Sequence, residues 1–241
     1  MCGRAFLTYG AEELVARYLG PDDWASLPEL RNSYNFAPTQ EAPIVLGVGA
    51  TGSKKRIITS RWQLVPPWEP EFKTKLSTIN AKSETVFQSK LYRSAVLARR
   101  CIFPISGFYE WKKDLSGKKR PYAIRLKDKR IMSIAAIWSP WKKPGGAPGA
   151  AERTSFALLT TSTNSALSPI HDRMPVILRA EDEDAWLDPA NRDPARLARL
   201  LKPCPSEWLE TFEVSTRVNS PRNNDPELLA MIQPPLTPNR A

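Results

Sequence analysis

From Ile44 onward the chain is a succession of short β-rich runs punctuated by turn formers, and this pattern restricts the fold more than any other feature. The runs are Ile44–Val48, Ile57–Val65, Tyr122–Leu126, Ile131–Trp138, Phe156–Thr161 and Val176–Leu178. Turn-forming stretches separate them: Gly49 to Gly52, Ser116-Gly117, and the loop Lys142–Arg153 with Pro144-Gly145-Gly146. That last loop lies between two strand signals and reads as a long hairpin connection rather than a domain linker. There is no internal repeat and no regular strand–helix alternation. The expected fold is α+β, a single compact domain built on mainly antiparallel β-strands with peripheral helices.

The helical signals are few. Ala11 to Leu19 is amphipathic, with Leu14, Val15, Tyr18 and Leu19 on one face and Gly20-Pro21 ending it. Further helices are expected over Ala81–Gln88 and over Glu181–Leu201, the latter broken around Asp188-Pro189. Asp225-Pro226-Glu227 would start a short terminal helix. The domain is expected to span residues 1–233. The stretch 234–241, with three prolines in eight residues, reads as a loose tail.

A length of 241 residues suffices to bury a full core in one domain or at most two. With 41% hydrophobic and 9% aromatic residues the composition is globular rather than disordered. No apolar run approaches the ~20 residues of a membrane helix, and no basic segment followed by an apolar run marks a signal peptide. Cys2, Cys101 and Cys204 form neither a disulfide framework nor a CxxC pair. The expectation is a reduced, soluble, cytoplasmic monomer without a membrane partner.

Lys and Arg total 35 against 25 Asp and Glu, a net charge of +10. This is either a solvated basic surface or the electrostatic footprint for a polyanion, of which nucleic acid is the commonest. Basic clusters at Lys54–Arg56, Lys112–Lys113, Lys118–Arg120 and Lys142–Lys143 read as loop edges.

Cys2 offers unusual chemistry. Initiator methionine is normally removed in a bacterial-type cytosol when a small residue follows, and the mature chain would then begin with a cysteine bearing a free α-amine. An α-amine titrates at roughly 7.7–8.0 against ~10.4 for lysine, so it is partly neutral near pH 7. A neutral amine attacks an aldehyde to form a Schiff base. The adjacent thiol can then add to the imine carbon and close a five-membered thiazolidine. Either group alone gives a labile adduct. The alternative is an incidental residue on a frayed terminus.

Other candidates are individually ambiguous. His171, the only histidine, lies in Ile170-His171-Asp172-Arg173-Met174-Pro175, a polar cluster before a strand signal, where catalytic groups often sit. Glu110, in Gly107-Phe108-Tyr109-Glu110-Trp111, is flanked by aromatics. Desolvation there would raise its pKa and suit it to proton exchange; an edge-strand carboxylate facing water is the competing reading. Asn80 could simply cap the helix expected after it. Cys101 lies in an apolar run and reads as core. One His and three widely spaced Cys supply no zinc ligand set, so no metal and no cofactor are expected. Of the eight tryptophans, Trp68 sits in a proline-rich loop, where an exposed ring could stack on an unpaired base.

Taken together, Cys2-Gly3-Arg4, Tyr34-Asn35-Phe36-Ala37-Pro38-Thr39, Asn80-Ala81-Lys82-Ser83-Glu84-Thr85, Gly107-Phe108-Tyr109-Glu110-Trp111 and Ile170-His171-Asp172-Arg173-Met174-Pro175 resemble the SOS response-associated peptidase family. Its eukaryotic members bind 5-hydroxymethylcytosine-containing DNA and shield abasic sites. The resemblance runs from Cys2 to about Asn219. It implies a compact β-rich fold with a positively charged channel for single-stranded DNA containing abasic sites, and a thiazolidine formed by Cys2 after methionine loss. Residue by residue it implies that Asn80 orients Cys2 and the sugar. It gives Glu110 the protons of imine formation and ring opening, and His171 acid–base work on the sugar hydroxyl and in reversal. Gly3, Arg4, Pro38, Trp68, Lys82, Lys90 and Thr160 would line the DNA channel. Lys82 and Lys90 stand where some relatives carry arginine, which keeps the charge but not the bidentate fork to phosphate. Two other functions stay open: a cysteine-type (auto)peptidase with Cys2 as nucleophile, and a single-stranded DNA-binding module without chemistry. A self-processing activity would have only Met1 to remove.

Overall fold

A computed structural model describes residues 2–20, 31–47, 55–147, 149 and 151–232. Along the chain run β1 (Ala5–Leu7), α1 (Ala11–Tyr18), β2 (Ser33–Phe36), β3 (Glu41–Leu46), β4 (Arg56–Trp62) and β5 (Asn80–Lys82). They are followed by α2 (Arg93–Ala98), β6 (Arg100–Ile105), β7 (Gly107–Lys113), β8 (Lys119–Leu126), β9 (Met132–Trp141) and β10 (Arg153–Ser162). The chain then forms β11 (Arg173–Pro175), α3 (Glu183–Leu187), α4 (Pro194–Leu200) and β12 (Leu209–Glu213).

The strands make a five-stranded sheet, β12-β8-β7-β1-β2, and a seven-stranded one. In the larger sheet β10, β4, β3, β6 and β9 follow one another, and a further β9–β10 pairing closes them into a small barrel. Phe103 fills its interior, with ring centroids 4.9 Å from Phe156, 5.8 Å from Phe36 and 5.9 Å from Trp62. Fully burying side chains of this size stabilises the fold by ~1.5–3 kcal/mol each. Most pairings are antiparallel; β4 and β5 run parallel to β10. The fold is therefore the α+β domain of mostly antiparallel strands that the turn spacing implies.

β10 is ten residues long, and its length positions the site. Its first half pairs with β9 and β4 and closes the barrel. Its second half runs on and takes β5 on one side and β11 on the other, with Thr160 opposite both Lys82 and Pro175. Two motif segments distant in sequence thus meet on one strand.

β7 lies inside the other sheet, between β8 and β1. Gly107 is required there: a Cβ would fall 2.2 Å from the Phe6 ring and 2.4 Å from the Ile124 carbonyl oxygen. The β1–β7 register pairs Ala5 with Phe108, and the Tyr109 N–H donates to the Arg4 carbonyl at 2.9 Å. Continued by two residues, that register brings Gly3 opposite Glu110 and delivers Cys2 to the end of the same sheet.

Helices cover the periphery. α1 buries Leu14, Val15 and Tyr18, the face its periodicity marks. α4 starts with Pro194 behind the Asp193 cap, whose carboxylate accepts from the Ala195 and Arg196 N–H groups. α3 and α4 flank the expected break at Asp188-Pro189, and Pro226–Leu229 forms a 3-10 turn. None of the described helices is long and apolar enough to cross a membrane.

The expected helix over Ala81–Gln88 is absent. Asn80–Lys82 are drawn into the sheet by the free edge of β10, and hydrogen-bonded turns follow, beginning with the Ser83 N–H on the Thr160 carbonyl at 2.8 Å. Long-range pairing overrides a local preference here. Likewise Val176–Leu178 is not a regular strand. The ladder lies three residues earlier, at Arg173–Pro175, and the chain then crosses from the Leu159 carbonyl to that of Ser133. The Ile57–Val65 run stops at Trp62, because Gln63 takes a φ of 128°. Residues 234–241 lie outside the described residues.

Candidate functional site

Cys2 is completely buried three residues before β1. The Asn80 side-chain amide donates to the Cys2 carbonyl at 2.8 Å, tying the cysteine to β5. Asn80 is therefore a strand residue holding another backbone, not a helix cap. Its Oδ1 is buried with no hydrogen-bond partner among the described residues. Such an acceptor costs about 1–3 kcal/mol until a donor meets it. Burial pushes the Cys2 thiol far above the usual thiol range, and the nearby Glu110 carboxylate adds to this.

Glu110 is 3% exposed, which removes the reading of a solvated edge carboxylate: β7 has a neighbour on both sides. Burial raises its pKa, while the charges around it, His171 included, pull the other way. Its Oε2 lies 4.0 Å from His171 Nε2. On the far side of the imidazole, Nδ1 accepts the Arg173 backbone N–H at 3.0 Å and also stands 2.7 Å from Asp172 Oδ1. One protonation state cannot satisfy both. The first contact needs a lone pair on Nδ1 and places the neutral ring's proton on Nε2, toward Glu110; the second needs a proton on Nδ1. Asp172 is 85% exposed and competes with water for its bond, so the Arg173 contact defines the neutral state.

Arg173 anchors this segment. Its guanidinium grips both oxygens of Glu84, at 2.6 and 2.9 Å, and donates to the Thr160 carbonyl at 2.7 Å. The Arg173 hydrogen bonds hold the Glu84 carboxyl below its usual range. Sequence reasoning gave Arg173 no role. Its place two residues after His171, in the same motif, is the signal that marks it. Asn35, similarly passed over, is a buried hub whose amide nitrogen donates to the carbonyls of Val218, Ser220 and Asn223.

The residues expected to line a DNA channel have unequal settings. Lys82 and Lys90 are exposed, and Trp68, on a turn, is 63% exposed. Pro38 is half-buried in the turn between β2 and β3, and Gly3 is half-buried beside Cys2. The Arg4 guanidinium is engaged within the protein: Nη1 donates to Asn35 Oδ1 and to the Val218 carbonyl, both at 2.7 Å, and the group lies 6.0 Å from the Trp111 ring centroid. Thr160 is wholly buried and receives Arg173, so any effect it has on a ligand passes through Arg173. Cys101 and Cys204 are buried free thiols away from these groups' hydrogen bonds. Among the described residues no group of three or more His, Cys, Asp or Glu could hold a metal ion.

The four groups expected to carry chemistry are thus linked through two contacts, Asn80 with Cys2 and Glu110 with His171, and through the electrostatic influence of Glu110 on the Cys2 thiol. A cleft of about 660 Å³ opens beside Glu110 and His171.

Comparison with known proteins agrees with this architecture. The chain is 37% identical over 229 residues to the abasic site processing protein YoqW of Bacillus subtilis (strain 168), covering 95% of this chain and 99% of the relative. It is 30% identical over 270 residues to the abasic site processing protein HMCES of Gallus gallus, covering 97% of this chain and 78% of that one. A crystal structure of a protein from Bacteroides thetaiotaomicron superposes with a TM-score of 0.80 at 27% identity, covering 96% of this chain and 100% of the other. The family model of the SOS response associated peptidase (SRAP) matches residues 1–221, and the chain belongs to that family.

Proposed function

We propose that this protein processes abasic sites in DNA damage, capturing the ring-opened sugar in single strands as a covalent thiazolidine on Cys2. The observation that carries the reading is the convergence of Asn80 and Glu110 on Cys2, with His171 behind Glu110. Met1 lies outside the described residues, and its removal is part of the proposal.

The chemistry balances without a cofactor. The Cys2 amine adds to the sugar C1′ aldehyde and gives a carbinolamine. Protonated Glu110 donates to the departing hydroxyl, water leaves, and an iminium remains. The thiol adds to that carbon, forming the C–S bond, and its proton passes to the Glu110 carboxylate. One water is lost overall and the carboxyl is restored. A carboxyl raised by burial stays protonated at higher pH than an ordinary glutamate and so serves as the acid. Asn80 fixes the Cys2 backbone and offers Oδ1 to the amine or to a sugar hydroxyl. His171, with Nε2 toward Glu110, moves protons on the sugar.

The state of the thiol favours this reading over peptide hydrolysis. Activated cysteine nucleophiles have lowered pKa values in electropositive settings. Cys2 is buried beside a carboxylate, and its thiol is raised. A thiol that attacks an iminium only after the amine has reacted need not be a thiolate at rest.

The test is incubation with single-stranded DNA containing an abasic site, followed by denaturation. Wild type and Cys204→Ala form a resistant adduct; Cys2→Ala, which keeps an amine but lacks the ring-closing thiol, leaves at most a reversible imine. Intact mass of the reacting protein lacks Met1. A stable adduct from Cys2→Ala at the wild-type level would overturn the mechanism.

A further inference from the structure

The cleft beside Glu110 and His171 extends along the β7–β8 hairpin, lined there by Trp111, Lys112, Lys113 and Lys119. We propose that it is a backbone-phosphate subsite for nucleotides flanking the abasic residue on one side only, read by Lys112, Lys113 and Lys119. This rests on the function proposed above and extends it to residues outside the channel that the family resemblance implies.

The charge arrangement makes the case. Lys113 and Lys119 are directly opposed across the β7–β8 ladder. Facing residues have Cβ atoms ~4.5–5.5 Å apart, and like charges there destabilise a sheet. Neither lysine has a carboxylate within ion-pair distance among the described residues, and Lys112 has none either. The contrast lies one pair inward on the same hairpin. Arg120, opposite Lys112, is neutralised by Asp114 and Glu213 at 3.2 Å each. The acids present are thus spent on Arg120, and the ammonium groups bordering the cleft keep their mutual repulsion. A phosphodiester between them relieves it.

The hairpin is also held rigid, so the charges are presented rather than trailing. The Asp114 carboxylate accepts from the Ser116 and Lys118 N–H groups at 2.9 and 3.0 Å, and Gly117 supplies the φ of 80° that the turn needs. The Trp111 indole N–H is fixed on Asn219 Oδ1 at 2.7 Å, which sets one wall of the cleft. A volume of about 660 Å³ is within the ~300–1,000 Å³ usual for ligand sites. The cleft starts at the groups assigned to the sugar and leads away along one hairpin, hence the one-sided contact.

The experiment measures equilibrium binding of strands carrying an unreactive tetrahydrofuran abasic analogue, over a salt series. Two oligonucleotides of equal length are used, one with the analogue near its 5′ end and one near its 3′ end. Lys113→Ala/Lys119→Ala and Lys112→Ala change surface side chains and are compared with Lys127→Ala/Lys129→Ala, which removes the same charge outside the cleft. The cleft variants should lower the slope of log K against log salt by about 0.7 per lysine removed, on one oligonucleotide and not on the other. The control should leave both slopes alone. Unchanged slopes, or equal losses on both oligonucleotides matching the control, overturn the subsite. Wild-type crosslinking of aldehyde-bearing DNA is read in parallel. Crosslinking with indifferent lysines defeats the subsite alone, whereas lysine-dependent, one-sided binding without an adduct defeats the chemical reading and keeps the subsite.

Discussion

Two pairs, each a glutamate beside a basic side chain, meet at the start of β11, and their carboxyls are tuned in opposite directions. Glu84 and Arg173 make a bidentate contact at 2.6 and 2.9 Å, and the Glu84 carboxyl is held below its usual range. Glu110 and His171, two residues away on the same segment, approach only to 4.0 Å, and burial holds the Glu110 carboxyl above its usual range. The first pair is a fixed charge contact and therefore a mechanical clamp. The second sets a buried carboxyl near an imidazole at a longer separation. In the function proposed above, anchoring and proton transfer would fall to residues two apart in the chain, and the anchor helps to position His171: the Arg173 N–H that touches His171 Nδ1 belongs to the clamped residue.

The largest effect should come from Glu110→Gln, which keeps the shape and removes the exchangeable proton. Single-turnover crosslinking should slow by ~10²–10⁴-fold with little change in DNA affinity, the range for a positioned general acid or base. The wild-type rate should decline as pH rises through the elevated Glu110 pKa, and the variant should lose that dependence. A loss of affinity proportional to the loss of rate would make Glu110 a channel wall.

His171→Gln should slow crosslinking and release by about 10²-fold, at the lower end of the same range, with release more affected than capture. Wild-type kinetics for both steps would leave Glu110 as the sole proton carrier and dissolve the pairing drawn above.

Arg173→Lys should act mainly on stability. Lysine keeps the charge but cannot hold Glu84 with two parallel bonds. Glu84 is 48% exposed, so solvent screening limits the loss to about 1 kcal/mol. For a chain of this length that is roughly 2–4 °C in Tm. Crosslinking should fall by less than it does in Glu110→Gln. An equal or greater loss would mean that the clamp cannot be separated from the chemistry.

The smallest effect is the sharpest comparison, read from thermal melts over a pH series. Glu84 has a lowered folded-state pKa, so its contribution is present above the ordinary glutamate range and is lost as pH falls through the folded value. Glu110 has a raised one, so the native state binds the extra proton and stability declines as pH climbs from the ordinary range to the elevated pKa. Glu84→Gln should therefore lose stability at neutral pH and converge with wild type in acid. Glu110→Gln should gain at neutral pH and converge likewise. Shifts of the same sign in both variants would refute the opposed tuning.

By itself the sequence determined the class of fold, for reasons local to the chain, and its motifs marked the candidate groups. Turn residues at short intervals force antiparallel pairing, the alternation and the proline and glycine stops bound α1 and the broken α3–α4 segment, and the chemistry of an N-terminal cysteine follows from its own two nucleophiles. Only the tertiary structure decided which setting each group has. Asn80 precedes a segment with helical preference, yet the unpaired second half of β10 takes it as a strand and turns its amide onto Cys2. Glu110 becomes a raised carboxyl instead of a solvated edge one because its strand lies inside the sheet and its side chain is buried near Cys2. Arg173 gains a role from Glu84, 89 residues earlier in the chain, and Lys113 and Lys119 face each other only once the hairpin closes. Burial and long-range pairing depend on which distant segments share an edge, and no local pattern of residue types encodes that choice.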